Sequence, residues 1–180
     1  MIKKELLLLL TLFIYYPLQA QKVSLNPEVS TLRYKAKHMV HSWEGTHRKL
    51  QGLAVLKDKQ LQQIAVKGAV QDFDSNNANR DSHALEVLEA LQFPDVRFFA
   101  SDIQSQSDAQ VLLKGTLIFH GVTIEKDVLA SYAPQGDGFR LLGNFDFNAT
   151  DFGVTLPSFL LVKMQDKIQI EFDLHFRSFP

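Results

Sequence analysis

The sequence predicts an all-β fold with one short helix: a single antiparallel sheet of about eight strands that curls on itself. Three observations carry that reading. From Lys167 to Arg177 the chain alternates, with Ile168, Ile170, Phe172, Leu174 and Phe176 on one side and Gln169, Glu171, Asp173, His175 and Arg177 on the other. Strand side chains alternate faces, so this segment has one apolar face and one wet face. Similar alternation recurs along the chain, and Asp, Asn and Gly punctuate most junctions, which favours antiparallel neighbours over helical crossovers. A sheet with one apolar face must bury it on another layer or within its own curl.

The elements follow in order. Lys3 and Lys4 precede an apolar run from Leu6 to Tyr16, and Leu18-Gln19-Ala20 offers a small-residue cleavage site. Residues 1–20 therefore read as a secretory signal peptide, too short to span a bilayer, with the mature chain expected to begin at Gln21. The first strand is expected from Thr31 to Val40, with Leu32, Tyr34 and Ala36 sharing a face. A second covers Leu50 to Lys57, and Asp58-Lys59 turns it. The third runs from Gln62 to Asp72, with Ile64, Val66, Gly68 and Val70 aligned. Helical spacing of Ala84, Leu85, Leu88 and Leu91 predicts a helix from Ser82 to Leu91, capped by Asp81 or Ser82.

Val96 to Ile103 is the fourth strand, with Phe98 and Ala100 on one face. Val111, Leu113, Gly115, Leu117 and Phe119 align on the fifth, and His120-Gly121 is its tight turn. The sixth covers Val122 to Tyr132. Asp137-Gly138 is a hairpin signal, and it leads to a seventh on which Phe139, Leu141, Gly143, Phe145 and Phe147 align. The eighth is the alternating segment at Lys167. Asn76 to Asn79 and Gln104 to Ser107 read as polar loops, and Gly153 to Met164 fits either a short helix or a flap.

Composition narrows the function. The formal net charge is −1, and removing Lys3, Lys4 and Glu5 with the leader makes it −2. A weakly acidic chain with no basic block has no footprint for nucleic acid. Cysteine is absent, which excludes disulfides and cysteine nucleophiles, so the core alone must hold the roughly 160 residues after the leader. G-x-S-x-G, G-x-x-x-x-G-K and H-E-x-x-H are all absent, and no catalytic residue or cofactor is assigned. His38 and His41, three apart on a strand, face opposite sides, so no metal site is assigned either. The inner faces are aliphatic and aromatic, interrupted by Gly68, Gly115 and Gly143. They fit a filled core with corner kinks or a cavity for an apolar ligand, and composition does not separate the two. In Asn79-Arg80-Asp81-Ser82-His83, Asp81 reads as a helix cap, or Arg80 and His83 stand at a barrel mouth near a polar or anionic head group.

Particular motifs go further. Arg80-Asp81-Ser82-His83-Ala84-Leu85 followed by Phe93-Pro94-Asp95-Val96-Arg97-Phe98 resembles the R-D-x-H-L … F-P-x-[IV]-x-F core of the YceI-like family. Lys37-His38 is similar to its K-H, Gly115 to Thr123 to its G-x-L-x-x-H-G-V-T, and Asp151-Phe152-Gly153-Val154 to its D-F-G-V. The loop after His38, Ser42-Trp43-Glu44-Gly45-Thr46-His47, departs from the commoner G-x-F pattern. The resemblance implies that residues 21–180 form one extended, lipocalin-like, eight-stranded antiparallel barrel. It also implies a periplasmic or secreted setting, often a homodimer, and an isoprenoid or other amphiphilic lipid held inside. His38, Arg80, Asp81, His83, His120 and Thr123 match family motifs. The expected ligand-binding residues are Leu32, Tyr34, Val66, Phe98, Leu117, Phe145, Phe147, Ile170 and Phe172 for the tail, with His38, Arg80 and His83 toward the head. An enzyme using His38 or His83 as general base on a lipophilic substrate is the alternative. A barrel with a full core that binds a partner on its outer wall is a third reading.

Overall fold

The structure, a computed structural model, describes residues 20–39, 41–159 and 162–178. The expected leader, the expected strand end at Val40, and Leu160 and Leu161 lie outside the described residues. The strands are β1 (Gln21–Leu25), β2 (Thr31–His38), β3 (His41–His47), β4 (Gln51–Lys57), β5 (Gln60–Ala69) and β6 (Phe73–Asp74). They are followed by the helix α1 (Ala78–Val87), and then by β7 (Asp95–Ser107), β8 (Gln110–Phe119), β9 (Val122–Gln135) and β10 (Gly138–Asn148). A small hairpin of β11 (Ser158–Phe159) and β12 (Val162–Lys163) precedes β13 (Lys167–Ser178).

Hydrogen bonding runs β1-β4-β5-β7-β8-β9-β10-β13 and closes through the β1–β13 pairing, an eight-stranded antiparallel barrel. Three walls are broken into two segments each. β1 and β2 lie one after the other along β13, at Leu25↔Phe176 and Tyr34↔Ile170. β3 continues the wall of β4, and β6 continues that of β5 past a 3-10 turn at Val70–Asp72. Neighbours in the wall are therefore neighbours in sequence, an up-and-down meander whose strands all run antiparallel. The 14-residue β9 would span about 45 Å at the usual rise per residue, so the barrel is long.

The turns show why the chain reverses where it does. Asp58 and Lys59 both have positive φ, as do His120 and Gly121, and two such residues give the turn twist that matches flanking strands. The expected Asp137-Gly138 turn is displaced by one residue. Gly136, at φ +57°, carries the bend, while Gly138 already belongs to β10, where a Cβ would overlap the Phe176 carbonyl. Gly138 is there for close approach.

Other expectations need correction. The stretch after His38 is a strand, not a loop. Its inner positions, Trp43, Gly45 and His47, lack the aliphatic signature of the other walls, so hydropathy does not reveal it. Gln21–Leu25 is also a strand, hidden by its shortness. Gln104 to Ser107 is the exposed end of β7, not a loop. The helix starts at Ala78, four residues early, because Asn77 is the cap and accepts from the Arg80 N–H at 3.0 Å. Leu91 lies beyond its end and is fully exposed. Gly153 to Met164 is neither helix nor plain loop. It follows a 3-10 turn at Ala149–Phe152 and contains the β11–β12 hairpin.

One end of the barrel is packed solid. Phe139 stacks on Phe176 with centroids 4.7 Å apart, Tyr132 packs on Phe139 at 5.3 Å, and Val23, Leu141 and Ala130 fill the space around them. At the other end the wall opens. Pairing of β5 with β7 stops at Ala69↔Asp95, and β6 pairs with β3, leaving a gap between β6 and β7 that α1 spans. Asp81 ties the helix down by accepting from the Ser75 hydroxyl at 2.6 Å and its N–H at 3.2 Å, while Val87 and Leu88 pack toward Leu117. Among the described residues no helix is long and apolar enough to cross a membrane.

Candidate functional site

Between the packed end and α1 lies an internal cavity of about 270 Å³. Every wall contributes to it through its inward face, because strand period alone aims every second side chain at the axis. Leu32 and Tyr34 come from β2, Val66 from β5, Phe98 from β7, Leu117 from β8, Phe145 and Phe147 from β10, and Ile170 and Phe172 from β13. All nine expected tail residues therefore line one space. The floor is made by Phe172, Leu174 and Leu141, which also belong to the solid core below.

The inward glycines do not leave empty room. A Cβ on Gly115 would lie 2.7 Å from Phe98 Cζ, and one on Gly143 would lie 2.6 Å from Phe172 Cζ. Each glycine receives an aromatic ring from the neighbouring strand, which lets large rings lie along the wall. Gly45 does the same for Tyr34. The cavity is thus shaped by paired glycine and aromatic positions.

The mouth carries the polar groups. Arg80 and His83, both expected toward the head, line it from α1. The Arg80 guanidinium lies over the Trp43 ring, 5.8 Å from its centroid, and its Nη1 is 3.5 Å from the Ser75 carbonyl. Burial, reinforced by the Asp81 carboxylate, pushes the Tyr34 phenol above its ordinary pKa, with Arg80 acting the other way. Tyr34 therefore stays a neutral phenol at physiological pH. His83 is exposed, with Nδ1 3.6 Å from Glu86 Oε2. His38 is elsewhere. It ends β2, outside the cavity lining, and its Nε2 lies 2.8 Å from the Val162 carbonyl, joining the β2–β3 turn to the β11–β12 hairpin.

Sequence reasoning missed several lining residues. Trp43 and Phe73 sit in short or polar strands, while Val87, Pro157 and Met164 come from elements whose shape was not legible. Trp43 had one usable signal, its period-two spacing with Gly45 and His47. His120 is architectural. At φ +48° its Nδ1 bonds the Phe152 carbonyl at 2.9 Å and its ring packs on Phe93 at 4.5 Å, so it ties the β8–β9 turn to the 3-10 turn. Among the described residues no group of three or more His, Cys, Asp or Glu is placed to hold a metal.

This architecture recurs in known proteins. BcnA of Burkholderia cenocepacia superposes with a TM-score of 0.76 at 18% identity, covering 84% of this chain and 98% of that one. A polyisoprenoid binding domain from Saccharophagus degradans, described as implicated in plant cell wall breakdown, superposes at 0.71 with 12% identity, covering 89% and 99%. The UPF0312 protein of Yersinia pestis is 24% identical over 167 residues, 83% of this chain and 86% of its own length. The model of the YceI-like domain matches residues 24–176, and the chain belongs to that family.

Proposed function

We propose that this protein binds an isoprenoid or other long amphiphilic lipid non-covalently inside its barrel and carries or stores it in the bacterial cell envelope, without catalysing a reaction. The observation that supports it is the apolar cavity inside the barrel, beneath a mouth bearing Arg80 and the neutral Tyr34 phenol. Each methylene moved from water into such a space gains about 0.8 kcal/mol, so a few isoprene units hold without any reactive side chain. The fold shared with a polyisoprenoid binding domain supports the same reading, as does the leader-like sequence of residues 1–20 for export. The arrangement of the histidines favours binding over catalysis. His38 is engaged at the hairpin outside the cavity, and His83 stands exposed beside Glu86, so neither is poised over a buried substrate.

Solvent extraction of purified protein followed by mass spectrometry tests the proposal. Wild type is expected to yield a long apolar molecule. Phe172→Arg, which places a charge on the cavity floor, is expected to yield none while circular dichroism still reports a folded barrel. Equal lipid content in both proteins would count against the interior as the site.

A further inference from the structure

The ladder between β9 and β10 runs from Gln135↔Gly138 to Ala130↔Gly143 and stops there. Both strands continue. β9 stays paired with β8 back to Val122, and β10 stays paired with β13 out to Asn148. The facing edges, 122–129 and 144–148, therefore form no ladder, and their backbone groups need other partners. One partner is a side chain: the Lys126 ammonium donates to the Asp146 carbonyl at 2.5 Å. Lys126 shares its parity with Ile124, Val128 and Ala130, so it leaves the strand from the inner face, and its Nζ lies 5.6 Å from the Phe145 ring centroid. A lysine on an otherwise apolar inner face is accounted for by the gap it spans.

That gap opens outward as a half-open groove, with Leu117, Ile124, Phe147 and Phe152 as its apolar wall. Leu117 and Phe147 also line the interior, so these two side chains are the partition between the two spaces. We infer that the β9–β10 gap is a lateral passage through which the hydrocarbon chain of a ligand enters and leaves the barrel, with Leu117 and Phe147 as its partition and Lys126 as its latch. The inference rests on lipid binding in the interior. Opening the passage requires side chains to rotate and one lysine to let go, with no backbone ladder to break. The mouth is the other route, bordered by α1, which the Asp81–Ser75 bonds hold in place. The rim of the gap carries both signs of charge, Lys126 and Lys167 against Glu125, Asp146 and Asp151. It therefore recognises the chain by its hydrocarbon and not by a head-group charge.

Stopped-flow exchange of a dansyl-labelled fatty acid tests the passage. The sequence contains no cysteine, so a short bis-maleimide joining Asp127→Cys to Asp146→Cys across the gap is the only cross-link possible. Cross-linking is expected to slow both association and dissociation about tenfold while the equilibrium Kd stays unchanged. Ile124→Trp, which fills the gap from a position opposite Leu117 that does not itself line the interior, is expected to slow both rates as well, and Lys126→Met to speed exchange. Normal binding with unchanged rates in the cross-linked protein and in Ile124→Trp overturns the passage alone and assigns exchange to the mouth. Absence of probe binding in the unmodified protein overturns the interior site and the passage with it.

Discussion

His47 shows how one residue couples burial to pH. It is fully buried at the end of β3, its Nδ1 accepts from the Lys49 N–H at 3.1 Å, and its ring meets Phe73 edge-on at 5.1 Å. Burial lowers its pKa, because the cation would lose its hydration. A folded pKa below the unfolded one means that the unfolded chain takes the proton first. Stability is then full above the unfolded value, near pH 6.5, and falls as pH drops from there through the lowered folded value. Urea unfolding at pH 7.5 and 5.5 is expected to show that loss in wild type. His47→Gln should be less stable at pH 7.5 but lack this component of the pH dependence. A second residue-scale test is Gly143→Val. Its Cβ would press on the Phe172 ring, and such overpacking costs typically 1–3 kcal/mol, read as a lowered Tm. The inward residues were legible at this scale because period two is a local property: Leu32, Val66, Phe98 and Ile170 can each be placed from immediate neighbours. Lys126 was not legible, since an inner-face charge makes sense only once the opposite strand is seen to part.

At the scale of elements, the walls were readable and their ends were not. Eight alternating runs predicted eight walls. The breaks after Leu25, His47 and Ala69, which split three walls in two, leave no mark in the alternation. The spacing of Ala84, Leu85 and Leu88 marks the helix but not its start, because Asp81 resembles a cap in sequence. In the fold Asp81 holds Ser75, and Asn77 does the capping. Asn77→Ala is accordingly expected to cost about 1 kcal/mol and lower Tm, while Ser82→Ala stays near neutral. β1 is small but closes the ring, with Val23 wholly buried between β4 and β13. Val23→Asp would bury an unpaired carboxylate, and the expected outcome is loss of the cooperative unfolding transition by circular dichroism.

The whole molecule is a long barrel of unequal halves. Aromatic stacking fills the end built on Phe139 and Phe176, and paired glycine and aromatic positions leave room at the end roofed by α1. Composition alone could not choose between a filled and a hollow interior, because the same residue types line both halves. What decides is how the rings lie against the glycines, a tertiary fact. The absence of cysteine puts the whole burden of stability on this packing. The most direct measurement is a crystal structure of protein purified from its native cell envelope. Continuous elongated density running from Phe172 toward Arg80 is the predicted result. A cavity closed by repacked side chains, or holding only solvent, would contradict lipid binding.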